Sequence, residues 1–305
     1  MTHYLRCSAC AAPLTRSGET LVCANGHHYR LVDGCIAVMI REGADARHFA
    51  QQIAYFTNEY KDYRGYHVEA WMRKYVDAAM EQFGLPRTGA VALDVGAGSG
   101  YITIELARAG WQVIAVDLTP ASMVNLVQSA RAEGVLDRII PVIGSAMELP
   151  LVDACVDAVV GNAIIEHLPD DDRFTAELER VCKPGARGVL VAPIKLKYVW
   201  PWLWPVNYYH DRCIGHLRRY DRAAFTTLLT RHGFVVDGFA YSGHFLKVAG
   251  TLLQMLVRTH TYDEWLERWD ARGAHRAYGS SNITVRFHKA CVTQDDDIFS
   301  VTTDI

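Results

Sequence analysis

Residues 93–100 read LDVGAGSG, and the way this octet ends decides what the chain folds into. The apolar residues Val91, Ala92 and Leu93 lead into an acid, Asp94, and then into glycine at alternate positions, Gly96, Gly98 and Gly100. Such a run is a strand that stops in a tight turn, where missing Cβ atoms let the backbone come close to a ligand. A dinucleotide turn has the spacing G-x-G-x-x-G, which would put its third glycine at position 101; that position is Tyr101. A glycine turn alone is weak evidence for any one ligand. Its partners along the chain must decide.

Downstream of the octet, short β-branched runs alternate with helical stretches. Residues 90–95, 112–117, 139–143, 156–161 and 188–192 read as strands, and helices are expected to open near Gly100, Pro120, Asp170 and Asp221. This alternation predicts a parallel sheet with helices on both faces. Upstream, Phe49, Ile53, Phe56 and Tyr60, then Trp71, Tyr75, Ala79 and Phe83, recur every three or four positions and predict two helices between Asp45 and Phe83. LPRTG at 85–89 ends them. Residues 232–241 and 282–289 supply two more strands, and 245–272 reads as a two-helix insertion. The final QDDDIFSVTTDI, from Gln294, reads as a solvated tail. The organisation expected is a metal-binding element at 1–42, a helical extension at 43–88, a ligand-binding core at 89–193, a lid with the remaining strands at 194–290, and a tail at 291–305.

With 305 residues, half of them apolar, the chain can bury one sizeable core and carry a small appendage. A formal net charge of −3 gives no global pull toward phosphate backbones. No window reaches the roughly 18 uninterrupted apolar residues of a membrane span, and the opening MTHYLRCSAC lacks a signal-peptide layout, so a cytoplasmic location is expected. The apolar run 245–257, interrupted by Lys247 and Gln254, reads as a core or interface helix, with contact to a membrane surface as the other reading. The 8 cysteines read as thiols or metal ligands rather than disulfides.

Four residues near the amino end sharpen that. Cys7, Cys10, Cys23 and His27 form C-x2-C-x12-C-x3-H, two close pairs of soft ligands suited to tetrahedral zinc. His28 could replace His27. With all four positions filled by protein the metal is expected to be structural, tying together a segment too small to bury a core of its own. The pair spacing and CANGHHY resemble the zinc element of bacterial large-subunit ribosomal RNA guanine methyltransferases. YRLVDGCIAVMI is similar to the zinc-ribbon partner subunit of tRNA and translation-factor methyltransferases, although Gly26 holds the place of that module's usual fourth cysteine.

The second strand, WQVIAVD at 111–117, ends in Asp117, 23 residues beyond Asp94. An ionised carboxylate only accepts hydrogen bonds, so at a strand end it can grip both hydroxyls of a ribose. Next come GSAMELPLVDACVDAVVGNAIIEHLPD at 144–170 and LERVCKPGARGVLVAP at 178–193. With these four motifs in order, residues 91–193 resemble the class I S-adenosylmethionine-dependent methyltransferases, in particular the group that includes the quinone-biosynthesis C-methyltransferases. The resemblance implies a Rossmann-like α/β fold with a seven-stranded sheet, closed by an antiparallel edge pair. It also implies that Asp94 and the backbone of Gly96, Gly98 and Gly100 line the methionine end of S-adenosylmethionine. By the same resemblance Asp117 holds the ribose, Leu118 flanks the adenine, Ser145 and Ala146 face the adenine edge, and Asn162 lies beneath the sulfonium. Two positions depart from the pattern: Ser145 stands where an aspartate is common, and KPGG is KPGA, with Ala186 last.

For the acceptor, the family places His167 near the methyl group, where an imidazole suits proton removal; a histidine packed against the cofactor pocket is the alternative. His216 is a second candidate base. The segment 195–222, KLKYVWPWLWPVNYYHDRCIGHLRRYDR, sets basic residues among tryptophans and tyrosines. It reads as an acceptor lid for a flat or greasy molecule with an anionic group, Tyr208, Tyr209, His210, Arg218, Arg219 and Tyr220 being the contacts; a folded cap with its arginines on nearby acids is the other reading. GHLRRY recurs in small-molecule and in glycan or lipid methyltransferases of this group, which favours the acceptor role. No N/D-P-P-Y/F motif follows the fourth strand, where Asn162-Ala-Ile-Ile stands, so exocyclic base amines are disfavoured. The expectation is an enzyme that methylates a small-molecule acceptor. The alternatives are an RNA methyltransferase gripping nucleic acid with its zinc element, against which the acidic balance stands, and a non-catalytic adenosyl-binding partner protein. The insertion at 245–272 would complete the acceptor pocket or form a homodimer face.

Overall fold

The computed structural model describes residues 2–40, 46–61, 65–256 and 263–291. Four short strands open the chain: β1 (Leu14–Ser17), β2 (Thr20–Cys23), β3 (His28–Val32) and β4 (Ile36–Val38). Two helices follow, α1 (Ala46–Tyr60) and α2 (Ala70–Phe83). The alternating region is β5 (Val91–Val95), α3 (Tyr101–Arg108), β6 (Gln112–Asp117), α4 (Pro120–Ala132), β7 (Ile139–Ile143), β8 (Val156–Asn162), α5 (Asp171–Val181) and β9 (Cys182–Pro193). After it come α6 (Trp204–Ile214), α7 (Arg222–Arg231), β10 (Phe234–Ser242), α8 (Phe245–Leu256), α9 (Asp263–Ala271) and β11 (Asn282–Lys289). The tail read from Gln294 onward lies outside the described residues, as does Asp45.

Side-chain alternation explains how this sheet is covered. Along β5 and β6, Val91, Leu93, Val95, Ile114 and Val116 pack on one face. Ala92, Val113 and Ala115 pack on the other, the period-two pattern of a strand buried on both sides. The first face meets Phe174 and Leu178 of α5, Phe225 and Leu229 of α7, and Leu21 and Tyr29 of the amino-terminal strands. The second meets Tyr75 and Phe83 of α2, Ile104 of α3 and Leu126 of α4. Each such side chain, fully buried, contributes about 1.5–3 kcal/mol. Two of the expected helix openings carry an N-cap: Asp170 accepts from the Arg173 N–H at 2.9 Å, and Asp221 from the Ala224 N–H at 3.0 Å.

The strand order is β1-β2-β3-β4-β7-β6-β5-β8-β9-β11-β10. Its last seven members hold the expected arrangement, parallel through β9, with the antiparallel pair β11 and β10 at the edge. The sheet is eleven strands wide rather than seven. The reason is β4, which lies parallel to β7 with Ala37 opposite Val142 and Val38 opposite Ile143, so the opening segment continues the sheet. A second seam backs it: Leu5 bridges to Leu151, and the Arg6 N–H donates to the Pro150 carbonyl at 3.0 Å. The chain runs outward from β5 to β6 and β7, then returns past β5 to β8. Ligands of such sheets sit at that reversal, beyond the carboxyl ends of the strands. Among the described residues no helix is long and apolar enough to cross a membrane.

Candidate active site and cysteine cluster

A cleft of about 530 Å³ opens at the reversal between β5 and β8. The turn after β5 forms its floor. Gly96, Gly98 and Gly100 have φ of 72°, 54° and 85°, left-handed values that disfavour any residue with a side chain. Space is short as well: a Cβ on Gly98 would stand 2.6 Å from the Tyr60 Oη, and one on Gly100 would stand 2.6 Å from Leu126.

The acids beside this turn differ in their work. Asp94, 2 % exposed, accepts from the Thr103 Oγ1 at 2.6 Å, and burial pushes its carboxyl up to about 7. Asp117, at the end of β6, accepts from the Gly98 N–H at 2.9 Å, the Thr119 N–H at 2.7 Å and the Ser122 Oγ at 3.0 Å. It therefore fastens the glycine turn to the neighbouring strand. Asn162 ends β8 and donates to the Tyr101 Oη at 2.8 Å, while its buried Oδ1 has no hydrogen-bond partner.

Asp94, Gly96, Gly98, Asp117, Leu118, Ser145, Ala146 and Asn162 all line this one cleft; Gly100 stands behind it, making room for Leu126. A backbone cradle without side chains, a strand-end carboxylate and a buried unpaired amide oxygen are the features a nucleoside with a zwitterionic tail requires. S-adenosylmethionine fits these residues.

The same cleft is also lined by Glu166, His167, His210 and His216. The rings of His167 and His216 meet at 4.7 Å between centroids, nearly perpendicular. His216 Nδ1 is 2.7 Å from Asp211 Oδ1, so a carboxylate that can only accept fixes the proton on Nδ1 and leaves Nε2 with its lone pair. Burial lowers the His216 pKa, outweighing the Asp211 hydrogen bond that raises it. Asp211 is held in turn by the Arg219 fork, at 2.6 and 2.8 Å.

Glu166, 1 % exposed, has Oε1 3.7 Å from His216 Nε2, and its Oε2 has no hydrogen-bond partner. Desolvation pushes this carboxyl up to about 8 from an ordinary 4.5. The folded state therefore binds the proton more tightly than the unfolded chain does. The stability so gained is complete below about pH 4.5 and is lost as pH rises through about 8. Glu166→Gln, which keeps the neutral shape, is expected to hold its urea midpoint from about pH 5 to about pH 9 while the parent falls behind by roughly 4 kcal/mol. Parallel pH profiles for the two proteins would contradict a buried neutral carboxyl.

The remaining lid residues go elsewhere. Arg218 pairs with Asp171 at 2.6 Å and donates to the Pro169 carbonyl; Arg219 also reaches the Ile194 carbonyl and Asn207; buried Tyr220 donates to Asp171 at 2.7 Å. Tyr208 and Tyr209 are exposed. None of these five lines the cleft, and neither do the described residues of α8 or α9. Sequence reasoning missed α1 as a wall of the cleft, with Gln52, Phe56 and Tyr60, and missed Glu166 and Asp211. The apolar stripe of α1 was the available signal, but a stripe shows that a face is covered and not what covers it.

At the amino end, Cys7, Cys10, Cys23 and His27 converge, and His28, on β3, points the chain onward outside the cluster. The Cys10 and Cys23 sulfurs are 3.8 Å apart, and His27 Nδ1 lies 3.5, 3.5 and 3.3 Å from those of Cys7, Cys10 and Cys23. A tetrahedral centre with metal–sulfur bonds near 2.3 Å and metal–nitrogen bonds near 2.0 Å has edges of about 3.8 and about 3.5 Å. These four atoms fit a zinc ion. Tyr29 Oη, 3.1 Å from the Cys7 sulfur, supports it from behind.

Comparison with known proteins places this geometry. The family model described as "Methyltransferase domain" matches residues 93–190. An uncharacterized methyltransferase of Mycobacterium leprae is 33 % identical over 162 residues, 52 % of this chain and 54 % of that protein. A probable S-adenosylmethionine-dependent methyltransferase of Mycolicibacterium smegmatis is 30 % identical over 167 residues, 55 % of this chain and 60 % of that protein. The chain thus spans little more than half the length of these relatives. Among solved structures, the geranyl diphosphate C-methyltransferase of Streptomyces coelicolor A3(2), in complex with Mg2+, geranyl diphosphate and S-adenosyl-L-homocysteine, shares the fold. Its TM-score is 0.59 at 14 % identity, covering 80 % of this chain and 98 % of that one. Residues 93–190 thus match a methyltransferase domain, and the fold around them is one that a solved methyltransferase shares.

Proposed function

We propose that the protein transfers a methyl group from S-adenosylmethionine to a small-molecule acceptor, and that zinc on Cys7, Cys10, Cys23 and His27 holds its opening segment in place. The observation that carries the reading is the meeting of two groups in one cleft: the glycine turn with Asp117, and Glu166, His167 and His216. When bound, S-adenosylmethionine supplies a methyl already activated for in-line displacement. The chain's own residues then have three tasks. Asp94, the turn backbone, Asp117, Leu118, Ser145, Ala146 and Asn162 hold the donor and aim it. Phe56 and Tyr60 of α1 close the cleft against water, which favours a reaction that disperses charge. His216 Nε2 takes the acceptor's proton, with Asp211 fixing the ring and bearing against the charge that forms.

In this reading His167, edge-on to His216, and His210 at the rim touch the acceptor. Arg218, Arg219 and Tyr220 position the lid from behind rather than meeting the acceptor. The test is incubation with S-adenosylmethionine labelled in its methyl group and a fractionated lysate. Label is expected in the small-molecule pool, and His216→Ala should lower that incorporation by about 100-fold while leaving S-adenosylhomocysteine affinity unchanged. Label in RNA would overturn the acceptor class and make the zinc element a nucleic-acid grip. Incorporation unaffected by His216→Ala would remove the base.

A further inference from the structure

Two stretches of this chain are rich in apolar side chains yet bury almost none. In residues 196–214, which end in α6, Val199 is the one buried residue, while Trp202 and Tyr209 are 80 % and 72 % exposed. In α8, Gln254 is the one buried residue among those described; Leu246 and Leu253, seven positions apart and so on one face, are 49 % and 61 % exposed. The two stretches touch. The Trp200 ring packs against Phe245, the first residue of α8, at 5.4 Å between centroids. Monomeric proteins rarely leave so much contiguous apolar surface in water without a partner for it.

Composition and charge select the partner. Tryptophan and tyrosine, with an apolar body and a polar tip, favour the boundary between water and lipid headgroups. A helix whose exposed face carries leucines and whose one charge, Lys247, is neutralised by Glu267 of α9 at 3.2 Å suits lying in the plane of that boundary. Beside residues 196–214 the exposed charge is positive. Lys195 and Lys197 share the single buried Asp221, at 3.2 and 3.1 Å, which leaves one cation uncompensated. Arg212 is exposed beside the Tyr208 ring, and Asp211, the acid of residues 196–214, is turned inward onto Arg219 and His216. A second copy of the chain would bring the same cations face to face, whereas anionic headgroups carry the complement.

We propose that the face made by residues 196–214 and α8 docks onto an anionic lipid surface. α6 also supplies His210 and Ile214 to the cleft, so the docked protein would present its acceptor end beside the bilayer. Resting on the methyl-transfer reading, that places the acceptor among amphiphiles drawn from the membrane. Docking itself does not depend on catalysis.

The experiment is co-sedimentation of the full chain with vesicles of phosphatidylcholine, with and without phosphatidylglycerol, alongside light scattering without lipid. The chain is expected to pellet with the mixed vesicles and stay monomeric alone. The pair Leu246→Glu and Leu253→Glu should lower partitioning by about 100-fold, and Lys197→Glu with Arg212→Glu by about tenfold on the anionic vesicles only. These side chains are exposed, so S-adenosylhomocysteine binding, measured in parallel, should be unchanged; its loss in the parent as well would count against the methyltransferase reading and leave the vesicle result standing. No pelleting of the parent, or pelleting indifferent to the leucine changes, overturns the docking face. A lipid-free dimer that Leu253→Glu splits would assign the face to a second copy instead.

Discussion

Asp117→Ala is expected to weaken S-adenosylmethionine and S-adenosylhomocysteine binding by at least about 100-fold. Two losses combine. A carboxylate facing a ribose accepts charge-assisted hydrogen bonds worth about 1.5–3 kcal/mol each, and two of them correspond to a factor of 100 or more. Asp117 also holds the Gly98 and Thr119 N–H groups, so its removal unfastens the turn proposed to cradle the donor. Asp117→Asn, which keeps one acceptor oxygen, should fall between. Calorimetric titration reads both, and an alanine variant that binds S-adenosylhomocysteine like the parent would remove the ribose role.

Metal removal should have the larger structural effect. A strong chelator is expected to release one zinc per chain and to lower the melting temperature by at least about 10 °C, since structural zinc contributes apparent binding energies of about 10–16 kcal/mol to small folded elements. Cys10→Ser separates the metal from ordinary packing. Cys10 is exposed, so with no ion at the cluster the change should stay within about 0.5 kcal/mol. With zinc there, losing one of four ligands should cost several times that. Metal analysis of the purified protein beside the melts reads the difference directly, and a Cys10→Ser variant melting with the parent would count against a structural ion.

How much of this was legible in the chain follows from where each signal resides. The parallel strands were readable because both faces of each are buried, which leaves continuous apolar runs with turn residues between them. β9 was read as 188–192 and spans Cys182–Pro193, because the KPGA segment bulges within the strand instead of ending it: Val156 pairs with Cys182, but Ala158 already pairs with Arg187. The joining of β4 to β7 left no trace, since partners about 100 residues apart impose no local periodicity. The lid shows the other limit. Its basic and aromatic composition is equally that of a wall and of a cap, and the partners that turned Arg218 and Arg219 inward were settled by folding, one of them Asp171 on another helix.

The seam between β4 and β7 has a bearing on solubility. Without the first 40 residues, β7 would be the outermost strand on that side, and the apolar Ile139–Ile143 would lose its neighbour, with Pro141 the one position that offers no backbone donor. A bare apolar edge invites the addition of further chains, and Pro141 only partly blunts it. The opening segment covers it twice, through Ala37 and Val38 and again through Leu5 against Leu151, and ends in the short, polar-flanked β1. A version of the protein trimmed of this amino-terminal piece is therefore expected to scatter light as aggregates below its melting temperature, under conditions where the full chain stays clear.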